Sequence, residues 1–304
     1  MERIRGITSL EALVALAMSG CSGPPVGGDG ATDDSTGDAT SDASPQCDPL
    51  ATFNAPAKIV ELASDRRDTV PRLTSDELTL VYARQASAFP GDFNYDLYSA
   101  TRSSTSDPFA TPVAAEQINT TTYIEANPTI SSDGLSLYFD TSRDGGQIYV
   151  ATRTSTADAF GPGTPVVALN TASVDSAPFI TDDGLELWFA SDGFDLFSSR
   201  WSATGFASVT REESLNSPSV ETLPVLSADK RTIYLASERP GGMGHLDILR
   251  SHRTTTSDVF PTPVLVSDLS SPVEDLPGWL SSDGCRFYFS SSREGVHALF
   301  MASR

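Results

Sequence analysis

Five carboxylates stand at one register of a repeat. Asp68, Glu125, Asp175, Glu221 and Asp275 each lie eight residues before a second acid: Asp76, Asp133, Asp183, Asp229 or Asp283. Proline follows the first acid three residues later in four of the five units. In the fifth, Gly278 takes that place, Pro277 comes one residue early, and Glu274 is a rival to Asp275. Like charges gathered around one opening raise each other's pKa unless something compensates. The compensation is a bound cation, a basic partner, or arginine from within the chain. Arg143, Arg239 and Arg293 recur at a fixed offset, and Arg84 stands near that offset in the first unit.

Other chemistry finds less support. Asp92, Asn94 and Asp96 alternate like the start of a calcium loop, but Leu97 stands where the loop needs glycine. His245, His252 and His297 lack metal-ligand spacing. No nucleophile elbow or Ser-His-Asp order is visible. We therefore expect no catalytic residue, no metal and no cofactor. A second arginine set, Arg102, Arg153, Arg253 and Arg304, follows the third strand of its units and is expected to solvate strand ends.

The second acids are spaced by 57, 50, 46 and 54 residues, a period of propellers and solenoids. Each unit reads as four strands. Asp133-Gly134, Asp183-Gly184 and Asp283-Gly284 supply tight turns after the first. Leu137-Tyr138-Phe139 and its counterparts form the second; Ile148-Tyr149 and its counterparts form the third. The fourth carries a Phe followed nine residues later by Leu or Ile: Phe109–Ile118, Phe160–Leu169, Phe206–Leu215 and Phe260–Leu269.

A fifth such pair, Phe53–Leu62, precedes the first unit, while the last unit lacks its own. The pattern predicts an all-β, five-bladed β-propeller of four-stranded antiparallel blades. Residues from Ala57 to Leu62 complete the last blade and remove the open edges. Cys47, just before that strand, and Cys285, in the last blade, are expected to form a disulfide across the closure.

Arg3 and Arg5, an apolar run from Leu10 to Met18, then Ser19 and Gly20, read as an export signal over residues 1–20, too short to span a bilayer. Cys21 follows directly and resembles a bacterial lipobox cysteine, which implies lipidation at that residue. Residues 21–46 are Gly, Ser, Thr and Asp-rich and read as a disordered acidic tether, with the propeller over 47–304. The net charge of −20 argues against nucleic acid and against electrostatic membrane binding; basic partners remain open.

Glu221-Thr222-Leu223-Pro224, Ser227-Ala228-Asp229 and Ser237-Glu238-Arg239-Pro240-Gly241-Gly242, with Asp247-Ile248, resemble the WD40-like repeats of the TolB type. That resemblance covers Phe53 to Arg304 and implies an exported, monomeric propeller that binds an envelope protein or ligand. The expected location is the bacterial cell envelope, at the outer membrane through the lipid. The competing expectation is a glycan-active enzyme, since several glycosidases use five-bladed propellers with carboxylates in the central cavity. Such chemistry needs two carboxyls about 5–10 Å apart in different environments, and five acids equivalent by repeat do not supply that difference.

Overall fold

Each acid-x-x-Pro run forms the innermost strand of a blade, and each is bulged. The residue before the proline takes a left-handed backbone at Val70 (φ 53), Asn127 (φ 45), Ala177 (φ 52) and Leu223 (φ 53). Proline has no N–H to leave unpaired at the bulge, so it is tolerated in a strand buried at a sheet's inner edge. In the fifth unit the extra residue is Gly278, between Pro277 and Trp279. A Cβ on Gly278 would collide with the Pro71 carbonyl of the neighbouring inner strand. Glycine therefore replaces proline where the first and last blades meet.

The structure is a computed structural model and describes residues 46–88, 93–203 and 205–304. It contains five four-stranded antiparallel sheets, as the repeat predicts. Blade 1 comprises Asp68–Leu73, Thr79–Gln85, Tyr95–Thr101 and Val113–Ala114. Blade 2 comprises Glu125–Ile130, Ser136–Thr141, Gln147–Thr152 and Thr164–Pro165. Blade 3 comprises Ser176–Ile180, Glu186–Ser191, Asp195–Ser202 and Gly205–Arg211. Blade 4 comprises Glu221–Leu226, Thr232–Ser237, Asp247–His252 and Val264–Leu265. Blade 5 comprises Asp275–Leu280, Arg286–Ser291 and Ala298–Ser303, and its outer strand is Ala57–Lys58, paired through Ala57↔Met301 and Lys58↔Phe300.

The turn after each inner strand is built by the second acid of the repeat. Its carboxylate accepts the hydroxyl two residues earlier and an N–H two residues later, as at Ser131 Oγ (2.6 Å) and Leu135 N (2.9 Å) onto Asp133. The intervening residue is left-handed, which suits Gly134, Gly184 and Gly284. Glu77 and Lys230 hold the same backbone without that freedom.

The core lies between blades. Phe179, Trp188 and Val225 pack in one cluster with Tyr234, Phe287 and Phe53, while Leu80, Tyr82, Trp279 and Tyr288 fill the seam between blades 5 and 1. Val70, Ala177, Leu223 and Leu276 from four inner strands form a separate cluster at the axis. Among the described residues no helix is long and apolar enough to cross a membrane.

Candidate functional site

The five repeat carboxylates are at most 1% exposed. In blades 2, 4 and 5 each accepts an arginine from its own blade: Glu125 from Arg143 (2.8 Å), Glu221 from Arg239 (2.9 Å) and Asp275 from Arg293 (2.6 Å). The same guanidinium also donates to a carbonyl of the preceding outer segment, at Ile118, Leu215 or Leu269. These carbonyls belong to the Leu or Ile nine residues after each Phe, so the spacing positions an acceptor. In blade 1, Arg84 takes the strand position held elsewhere by Thr141, Ser237 or Ser291, and reaches Asp68 at 2.6 Å and Leu62 O at 2.9 Å. Burial pushes the Asp68 and Glu125 carboxyls up from their ordinary values, and the arginines oppose that shift.

Blade 3 departs from this corner. Gly193 stands where the arginine would be. Asp175 instead accepts Thr171 N at 2.6 Å and Ser191 Oγ at 2.5 Å. The acids thus serve as inward-facing blade-to-blade fastenings. The expected ring around a channel mouth is not open to a ligand, because each carboxylate is enclosed by its own corner. Glu274, the rival to Asp275, lies outside this pattern and bridges Arg67 of blade 1 (2.8 Å) and His297 (2.9 Å). The His297 hydrogen bond holds the Glu274 carboxyl below its ordinary value.

The axis carries a residue that the repeat does not announce. Arg72 follows the bulge proline of blade 1 and is 1% exposed. Its guanidinium donates to Gly278 O of blade 5 and to Pro224 O of blade 4 (3.2 Å), and lies 4.9 Å from the centroid of Phe179 in blade 3. One side chain thereby ties four of the five blades together across the centre. Removal from water lowers its pKa to about 9. No repeat position marks it in the sequence; it is the one charged residue besides Asp68 in a strand whose six residues are all buried.

The second arginine set does not solvate strand ends. Each guanidinium lies over the Phe of its own fourth segment: Arg102 on Phe109 (4.5 Å), Arg153 on Phe160 (4.4 Å), Arg253 on Phe260 (4.1 Å) and Arg304 on Phe53 (4.5 Å). Each Nε also donates to a turn carbonyl, at Glu77, Gly134, Lys230 or Gly284. Desolvation against an aromatic face makes this contact stronger than an exposed one, which is why the charge is retained at a half-buried place. Blade 3 again differs, with Trp201 at this position, edge-on to Phe206 at 4.9 Å. A gap in the arginine series was the available sign of it.

Cys47 and Cys285 form a disulfide with a Cα–Cα distance of 5.2 Å. Cys21, the signal segment and residues 21–45 of the tether lie outside the described residues, as does Asp92 of the calcium-like run. Among the described residues no group of His, Cys, Asp and Glu is arranged to hold a metal ion.

No protein-family model and no curated protein matches this chain in sequence. Solved structures do. The chain is similar to a GH43_1 enzyme from Xanthomonas citri complexed with xylotriose, at 14% identity and TM-score 0.59, over 82% of this chain and 89% of that one. It is similar to the α-L-arabinofuranosidase PaAbf62A from Podospora anserina in complex with cellotriose, at 13% identity and TM-score 0.50, over 78% and 90%. It is also similar to TolB from Acinetobacter baumannii, at 21% identity and TM-score 0.46, over 80% of this chain and 56% of that one. The first two likenesses describe a shared fold.

Proposed function

We propose that this chain is a non-catalytic binding module of the bacterial cell envelope. Its propeller surface is offered to a protein or ligand, and a lipid on Cys21 tethers it to the outer membrane. The observation that carries this reading is the filled axis. Arg72 crosses the centre to reach blades 3, 4 and 5, and Val70, Ala177, Leu223 and Leu276 pack beside it. A glycosidase of this architecture needs an open central cavity with two carboxyls in unlike environments. Here the repeat carboxylates are enclosed in their corners. The export signal, the lipobox-like cysteine and the TolB-type repeat support the envelope location, and fold alone does not assign function.

Affinity capture from detergent-solubilised envelopes tests this reading alongside a glycan-turnover assay. A partner retained by the intact propeller, with no turnover, supports the module. Turnover that survives purification and is lost with one carboxyl substitution replaces it with the enzyme.

A further inference from the structure

Blade 3 breaks the repeat at both ends of its second and third strands, and the break at Trp201 adjoins a cleft. Gly193 and Trp201 replace the two arginines found in the other blades. The blade also has a seven-residue outer strand, Gly205–Arg211, where the others have two residues. Trp201 is 52% exposed, whereas Trp188 and Trp279 are 3% and 4% exposed. Between blades 3 and 4 lies a cleft of about 380 Å³ lined by Leu185, Glu186, Arg200, Trp201, Lys230 and Arg253, within the size range of small-ligand sites.

The cleft's polar groups are held by one another and by neighbours from both blades. Lys230 takes a left-handed backbone (φ 57) where three other blades have glycine, a conformation that side-chain-bearing residues adopt at a cost. Its Nζ reaches back to blade 3, to Asp183 at 2.6 Å and Glu186 at 3.2 Å. Glu186 is fixed on its other oxygen by Trp188 Nε1 at 3.3 Å. Arg253 is pinned to the Lys230 carbonyl and stacked on Phe260. Arg200 is the loose member: its side chain is 77% exposed and stands 3.7 Å from Glu186.

The geometry points to a saccharide site, with one neutral sugar ring laid against the indole of Trp201. This rests on the binding-module reading and names the ligand class that the module takes. A pyranose has an apolar C–H face and a rim of hydroxyls that both donate and accept. Trp201 meets the face; Glu186 accepts from the rim, and Arg200 and Lys230 donate to it. An anionic ligand fits less well, because Glu186 and Asp183 lie beside the cations and the whole chain carries −20.

The test uses the intact protein with cellotriose, xylotriose, maltotriose and chitotriose as probes. Trp201 is the exposed indole, so bound sugar should shield it from acrylamide and shift its emission to the blue. Calorimetry should then show at least about a tenfold loss of affinity in Trp201→Ala, the cost of removing an anchoring aromatic. Arg200→Ala, an exposed change that leaves the fold in place, should also weaken binding severalfold. Absence of binding by all four probes overturns the site, as does binding unchanged in both variants. Tighter binding of a sulfated trisaccharide or a peptide, run beside these four as comparison ligands, overturns the ligand class. A silent panel beside a captured envelope partner removes the saccharide site and leaves the module. Hydrolysis of a probe removes the module reading itself.

Discussion

Arg304 holds its guanidinium 4.5 Å over the ring of Phe53, so the end of the third strand of blade 5 is stacked on the segment that leads into that blade's borrowed outer strand. Arg304 also donates to Pro49 O at 2.9 Å, and Phe53 packs against Phe287 at 5.7 Å. A double-mutant cycle with Arg304→Ala and Phe53→Ala should give a coupling of about 0.5–2 kcal/mol by urea denaturation. Phe53→Ala alone should cost about 3–5 kcal/mol. Zero coupling would mean that the stack adds nothing to ring closure.

The Cys47–Cys285 bridge spans 238 residues of sequence. The chain-entropy model gives at most about 5 kcal/mol for a loop of that size. Reduction, or Cys285→Ser, should therefore lower the urea midpoint clearly. The loss should stay under the full value, because the reduced, unfolded chain retains residual structure that already restricts it. A midpoint that ignores reductant would show that the bridge contributes no stability.

The blade corners predict an order of sensitivities. Glu221→Gln leaves the half-buried Arg239 without its carboxylate and should cost up to about 3–5 kcal/mol. Asp175→Asn faces hydroxyl and amide donors in place of an arginine, and should cost about 1–3 kcal/mol. Equal losses at the two sites, read from denaturant midpoints, would remove the distinction between the arginine-bearing corners and that of blade 3.

Arg72 gives the axis a pH dependence. The folded chain releases this proton near pH 9, while the unfolded chain keeps it to strongly alkaline pH. The cost of the buried charge is thus present in full at neutral pH. Above about 9 the unfolded state binds more protons, so the folded state gains relative stability as pH rises. Comparing wild type with Arg72→Met cancels the other groups. Their stability difference should move in favour of wild type by up to about 1.4 kcal/mol per pH unit above that point. A difference that stays flat with pH would show that Arg72 keeps its proton.

The blades were legible because each repeats one set of positions. The Phe–Leu spacing exposed the borrowed strand, and the cysteines flanked the closure it implies. Single residues were harder to read. Arg72 occurs once, and no period marks it; its acceptors belong to blades 4 and 5, about 150 and 200 residues away in sequence. The stacked arginines were visible as a series. Their aromatic partner, seven residues further on at Phe109, Phe160 and Phe260, becomes a neighbour only when the fourth segment folds back over the third. Trp201 was hidden for the opposite reason, as a missing member of a pattern read by its presences.

The seam of blade 5 also imposes an order of events on synthesis. Ala57 is made early, and its partner Met301 comes 244 residues later. At about 5–20 residues per second, the first-made strand waits about 10–50 s for its mate. Four sheets are able to assemble on one another in that time, but the circle stays broken until the final hairpin arrives. During the wait the unpaired strand offers Ala57 and Lys58, a short edge whose lysine discourages a stray neighbour from zipping onto it. A nascent ring of this kind is most vulnerable to premature association just before its last strand is delivered, and protection then comes from that strand's brevity and charge.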